Sequence, residues 1–170
     1  MMGKYYFDTC TVIDGIDNSS RYHRNVLQAI TQIPGLSVFS EYMENELKSV
    51  LRHAEKFRER QDFLLREYTR LKIRLKASFI SNDSRIQNLH IWCKRLRVAP
   101  LKFQDMVHVG ICGLENISNI ISDDWHIYGQ SRRHGRPFID VIKDRLSAIQ
   151  RFSNPEHAFT TRSGSLKMEV

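Results

Sequence analysis

The sequence predicts an α/β domain on a short, mostly parallel sheet, and three observations carry that reading. Short β-prone runs alternate along the chain with stretches of helical period, the pattern that builds parallel sheets. Three of those runs have a carboxylate at or just past their last residue, the end where open parallel sheets collect ligands. Between Gly35 and Pro100 there is no Gly or Pro at all, which predicts a long helical stretch in the middle of the chain.

The elements follow in order. Lys4 to Phe7 is β-prone and runs into Asp8-Thr9-Cys10-Thr11, so a short strand ending at Asp8 is expected. Asn18-Ser19-Ser20 offers a helix cap, and Val26, Leu27, Ile30 and Ile33 recur at helical spacing before Pro34-Gly35. Leu36 to Phe39 reads as a second strand. After Ser40, Met43, Leu47, Val50, Leu51 and Ala54 form one apolar stripe, and the pattern continues or re-forms through Phe57, Leu64, Tyr68 and Leu71. Lys72, Arg74 and Lys76 alternate with Leu71, Ile73 and Leu75, a two-residue period that fits a strand inside a helical context; both readings stay open. Asn82-Asp83-Ser84 starts a helix carrying Ile86, Leu89, Cys93 and Leu96, which Pro100 closes. Phe103 to Leu114 is a further helix and Asn119 to Ser122 a third strand. Gly129 to Gly135 is a basic loop, Pro137 to Ile142 a fourth strand, and Lys143 to Phe152 a last helix. The whole of 1–152 reads as a single domain, with 153–170 a polar tail.

Composition removes several classes. At 170 residues and 41% hydrophobic content the chain is long and apolar enough for its own core. No apolar run reaches the roughly 18 residues of a membrane span, and the opening MMGKYYFDTC lacks the apolar stretch of a secretory signal. Cys10, Cys93 and Cys112 are odd in number and widely spaced, which argues against a disulfide framework and for a reducing cytoplasm. Cys10 and Cys112 read as small buried residues.

The formal charge of +7 implies an anionic partner, and its distribution says more. Residues 48–97 hold 14 Lys+Arg against 5 Asp+Glu, a net of +9, while the other 120 residues are net −2. A basic segment beside separate acids is what a metal-dependent enzyme acting on a polyanion requires, although a helix with solvated charges gives the same count. The acids concerned are Asp8, one or more of Glu41, Glu44 and Glu46, Asp105 opening its helix, and Asp123 or Asp124 after the third strand. Close carboxylates need a cation to stay ionised together. Hard oxygen donors favour Mg²⁺ or Mn²⁺; two such ions roughly 4 Å apart would activate a water and stabilise the leaving oxygen of a phosphodiester.

These residues resemble the motifs of the PIN-domain ribonucleases. Tyr6-Phe7-Asp8-Thr9-Cys10-Thr11-Val12-Ile13 is similar to the family's opening, a strand ending in Asp-Thr. Ser40 followed six residues on by Glu46 and then Leu47 resembles the second motif and selects Glu46 over Glu41 and Glu44. Asp105 with Met106-Val107-His108 resembles the third, and Ser122-Asp123-Asp124 the fourth, a register that selects Asp124. The resemblance covers about residues 4–142 in the family's motif order and is nearest to VapC-type toxins.

It implies a three-layer α/β/α fold with a long helical segment between the second and third acidic motifs. It also implies a metal-dependent endoribonuclease whose Asp8, Glu46, Asp105 and Asp124 are catalytic and hold Mg²⁺ or Mn²⁺, acting on RNA. The implied partners are an antitoxin protein and a second copy of the chain. Two departures stand out: 58 residues separate Glu46 from Asp105, and His126 occupies a slot where many members carry a further acid.

Around these acids, Thr9, Thr11, Ser40, Ser122, Asp123 and His126 are candidates for holding the carboxylates in place. Arg66, Arg70 and Arg74, if helical, form a stripe that would track an RNA backbone, and Arg132, Arg133 and Arg136 would grip phosphates from a loop. Phe79 and Trp92 are expected in the core, and His108 in a packing role. The alternatives are a non-catalytic PIN-like scaffold binding RNA or protein, and a structure-specific DNA nuclease.

Overall fold

The structure, a computed structural model, describes residues 4–31, 35–95, 102–117 and 119–122, and the backbone of 130–131 and 136–137. It divides into two compact units, Met1–Asp83 with Ile117–Asp123, and Ser84–Asn116 with Asp124–Val170. Among the described residues no helix is long and apolar enough to cross a membrane.

The first unit carries a four-stranded, all-parallel sheet made of β1 (Tyr5–Phe7), β2 (Ser37–Ser40), β3 (Ser78–Ile80) and β4 (Asn119–Ile121), in the order β3-β2-β1-β4. Succession runs outward from β1 through β2 to β3, and β4 then pairs on the other side of β1. The strand order therefore reverses between β1 and β4, and such a switch point opens a crevice at the carboxyl ends of the strands. Tyr5 pairs with Ser37 and with Asn119 in the register; continued by three residues, it sets Asp8 level with Ser40 and Ser122.

Between β1 and β2 lie helices α1 (Thr9–Ile16) and α2 (His23–Thr31). The sequence reading had no helix at 9–16, because Thr9-Cys10-Thr11-Val12-Ile13 is poor in helix formers. Its start is made by Asp8, whose carboxylate accepts from Thr11 N at 3.0 Å, and its length by burial of Val12 and Ile16. After β2, Ser40 Oγ accepts from Met43 N at 3.0 Å and starts α3 (Glu41–His53), a cap worth about 1 kcal/mol. Met43, Leu47 and Leu51 form its buried face.

The long apolar stripe does break, without Gly or Pro. Ala54 takes an extended conformation, Glu55–Arg60 forms a 3₁₀ turn, and α4 (Gln61–Leu75) begins afresh. The 3₁₀ turn is held by Arg60, which donates to Asp17 at 2.9 Å and to Asn18 and Ser19 beyond α1. The open question at 71–76 is settled as helix: Leu71 and Leu75 are buried, Ile73 is exposed, and Lys76 ends α4 in the left-handed region at φ 48°. Strand β3 follows at once and was not foreseen. Phe79, expected in the core, is 47% exposed on this strand, with Lys72 Nζ 5.3 Å from its ring centre. The core of the unit joins Phe7 to Phe39 (ring centres 5.5 Å apart) and Phe39 edge-on to Tyr68 at 5.8 Å.

In the second unit α5 (Ser84–Arg95) packs on α6 (Phe103–Leu114), with Leu89 against Gly110 and the His90 ring edge-on to Phe103 at 5.3 Å; Ile86, Leu89 and Cys93 are buried on α5 and Met106 to Cys112 on α6. A Cβ on Gly110 would stand 2.6 Å from the Leu89 side chain, so Leu89 would have to shift to admit one. His108 is buried, as its packing role requires, and Trp92 is half-buried. Burial pushes the Cys93 thiol up to about 12, which leaves it inert. The residues expected as a loop from 129 begin a two-stranded antiparallel pair, β5 (Gln130–Ser131) with β6 (Arg136–Pro137). The strand expected to 142, the helix at 143–152 and the tail at 153–170 lie outside the described residues.

Candidate active site

The site is assembled at the switch point by short local rules. Asp8 leaves β1, donates its backbone N–H to Ile121 O at 3.2 Å, and is 4% exposed. One carboxylate oxygen takes the Thr11 N–H; the other accepts from the Ser122 hydroxyl, from just past β4. Cys10 Sγ stands 3.1 and 3.3 Å from the two oxygens and donates to them. Thr11 Oγ1 donates to Ile121 O at 3.2 Å and ties α1 to β4 a second time. Among the described residues, then, every partner of this buried carboxylate is uncharged. A buried carboxylate depends on donors of this kind to offset its desolvation.

Glu46 reaches the same place from α3, its Oε2 accepting from the hydroxyl of Thr9, the residue next to Asp8. Behind it, Ser40 is fully buried and bonded to Tyr6 OH at 2.7 Å, so a strand tyrosine braces the cap that sets the register of α3. Sequence reasoning passed over Tyr6, whose only signal was a polar tip at an inward strand position. It also misjudged Cys10, which is half-exposed beside Asp8, not simply buried filler.

The three acids of α3 part ways. Glu41 accepts from Asn82 N at 2.8 Å. Glu44 accepts from Lys48 (2.8 Å), Lys72 (2.9 Å) and Tyr68 OH (3.1 Å). Burial raises the Glu44 pKa, but the hydrogen bonds and charges of Lys48 and Lys72 outweigh it and hold the group below its ordinary 4.5. Burial and the Glu44 carboxylate together push the Tyr68 phenol up. Asp17 is also held low: hydrogen bonds from Ser19 and Arg60, with the Arg60 charge, outweigh its burial.

Asp105 belongs to the second unit, where it opens α6 and accepts from Lys102 N at 3.1 Å. Asp123, Asp124 and His126 lie outside the described residues, as do Arg132 and Arg133, and of Arg136 only the backbone is described. Among the described residues no three His, Cys, Asp or Glu side chains gather as a metal-holding group. The donors that are described, carboxylate oxygens braced by hydroxyls, suit a hard divalent cation.

Arg66, Arg70 and Arg74 are all exposed on α4, four residues apart, with Arg70 paired to Glu67. Gly35 N donates to Leu75 O at 3.0 Å, so the end of the stripe stands at the amino ends of the strands. The acids stand at the carboxyl ends, about 10–13 Å away along strands of three or four residues.

No family model and no curated protein matches the chain. Among solved structures it is similar to VapC20 of Mycobacterium tuberculosis, a toxin that cleaves the sarcin–ricin loop. The likeness has a TM-score of 0.55 over 72% of this chain and 91% of that one, at 13% identity. At that identity the likeness is one of architecture: the chain has a PIN-like α/β fold, the fold its four acidic motifs resemble.

Proposed function

We propose that the chain is a metal-dependent endoribonuclease of PIN type, acting as the toxin of a toxin–antitoxin pair. One observation carries the reading: Asp8, at the switch point of the sheet, is buried among uncharged donors, and Glu46 is bonded to the neighbouring Thr9. The PIN-like fold shared with a toxin that cleaves the sarcin–ricin loop supports it.

Asp8 and Glu46, with Asp105 and Asp124 as the further acids of the resembled motifs, would hold Mg²⁺ or Mn²⁺. A bound divalent ion supplies an electrophile for the phosphodiester and makes a water nucleophilic near neutral pH. The chain's own part is preorganisation. Thr9 fixes the Glu46 carboxylate, Ser122 and the Thr11 N–H fix that of Asp8, and the Tyr6–Ser40 pair fixes the helix that carries Glu46. Arg66, Arg70 and Arg74, with Arg132, Arg133 and Arg136, contact backbone phosphates without reading sequence. An antitoxin partner covers the acids, and a second copy of the chain is a further partner.

The test incubates single-stranded RNA and DNA separately with purified protein, with Mn²⁺ and with chelator. Cleavage of RNA that needs Mn²⁺ is the expected result. Cleavage of DNA alone makes the chain a DNA nuclease, and binding without cleavage of either makes it a scaffold.

A further inference from the structure

We infer that the outer edge of β3 is a docking edge for an acidic, extended segment of a partner protein, which joins the sheet as a further strand. The inference does not depend on the ribonuclease reading. Among the described residues β3 pairs with β2 alone, so its other side meets no strand. Alternate residues of such a strand turn their N–H and C=O groups outward, ready to pair with another chain. Ser78 and Phe79 are both exposed, so a second strand can reach that side.

The register says what the incoming strand would meet. Tyr6 pairs with Val38 and Phe39 with Phe79, so Phe7, Phe39 and Phe79 stand in one row across three strands and share a face of the sheet. Phe7 has Ile121 and Phe39 beside it in this row, and Phe39 has Phe7 and Phe79; among the described residues Phe79 has only Phe39. Exposure follows the row: 0% at Phe7, 0% at Phe39 and 47% at Phe79. The row stops one side chain short of cover, and an apolar residue on a strand beyond β3 supplies it.

Charge selects the occupant. Residues 68–82 hold Arg70, Lys72, Arg74 and Lys76 and no Asp or Glu. Arg70 and Lys72 are paired to Glu67 and Glu44, but Arg74 and Lys76 are exposed and meet no acid among the described residues. Lys76 stands two residues before β3. A second copy pairing edge to edge would bring these cations together, and edge lysines are a device against such self-pairing. An acidic segment meets them with opposite charge. RNA would meet the charge too, but it has no alternating N–H and C=O groups to pair with a strand edge, and a polypeptide has.

The experiment titrates the full chain into three fluorescein-labelled peptides of about eight residues. The first alternates Val with Glu and the second Val with Lys. The third is the Val–Glu peptide N-methylated along its backbone, which keeps the charge and removes the N–H groups. Anisotropy reads binding, and hydrogen exchange reads protection of the amides of 78–80. Binding of the first peptide alone, with protection at 78–80, is expected. Phe79→Thr, which keeps a good strand former, is expected to weaken that binding about 2- to 10-fold. Lys76→Asn, which suits the left-handed backbone there, is expected to weaken it about 1.5- to 5-fold. Absent binding of the Val–Glu peptide overturns the inference, as does equal binding of the methylated or the Val–Lys peptide. Parental affinity in both variants at parental melting temperature overturns it as well. A chain that dimerises alone and becomes monomeric on Phe79→Thr gives the edge to a second copy. Protection of 78–80 by single-stranded RNA and not by the peptide gives it to RNA. Either result contradicts the inference.

Discussion

The two flanks of α3 carry a glutamate each, about 160° apart around the helix, and the protein treats them in opposite ways. Glu44 faces α4, whose Lys72 and Tyr68 donate to it together with Lys48 of α3 itself, and its pKa is held low. Glu46 faces α1 and is bonded to the hydroxyl of Thr9, beside an Asp8 whose described partners are uncharged. One flank neutralises its carboxylate from within the fold and so ties α3 to α4. On the other, Glu46 accepts from the hydroxyl of Thr9, and the described donors to Asp8 are a backbone N–H, a hydroxyl and a thiol. Acids of one helix are thus set apart by which groups donate to them, not by burial alone.

The sharpest way to break this comparison is to remove one charge at a time. Glu46→Gln is expected to bring Mn²⁺-dependent RNA cleavage to background while the melting temperature holds, and Glu44→Gln to cut at the wild-type rate. Equal losses in both would erase the distinction. Next in size is Thr9→Ala, which frees Glu46 and is expected to lower the cleavage rate about 10- to 100-fold, with Thr9→Ser recovering most of it. The smallest effect is on stability. Glu44→Gln is expected to cost about 1 kcal/mol or less in denaturant melts at neutral pH, because its lysine partners are partly exposed and screened. A carboxylate whose folded pKa is depressed stabilises the fold above its unfolded value and stops doing so as pH falls through the folded one. The gap between wild type and Glu44→Gln is therefore expected to close below about pH 4.5, and a gap that widens in acid contradicts the assignment.

Much of this frame was legible in the residues, for identifiable reasons. Local patterns sufficed where capping and periodicity agree: the cap at Ser40 with α3 behind it, and the helix Phe103–Leu114. They failed where tertiary contacts decide. Helix α1 has little intrinsic propensity and owes its start to Asp8, the cap that also belongs to the candidate site. The break after Ala54 is held by Arg60 reaching back 43 residues to Asp17. Lys72 looked like one beat of a strand, yet it is the α4 residue that reaches Glu44. At the site, the spacing from Ser40 to Glu46 singled out one acid of three, but that Thr9 bonds Glu46 and Cys10 lies against Asp8 depends on register between elements, which no local pattern encodes.

The most direct measurement of the central claim compares Asp8→Asn with wild type, in RNA cleavage with Mn²⁺ and in thermal melting. Asn caps a helix about as well as Asp, so the start of α1 survives the change while a charge is lost from the site. The account predicts an unchanged melting temperature with cleavage at background. Wild-type cleavage by a fully folded Asp8→Asn would show that Asp8 is a helix cap and nothing more.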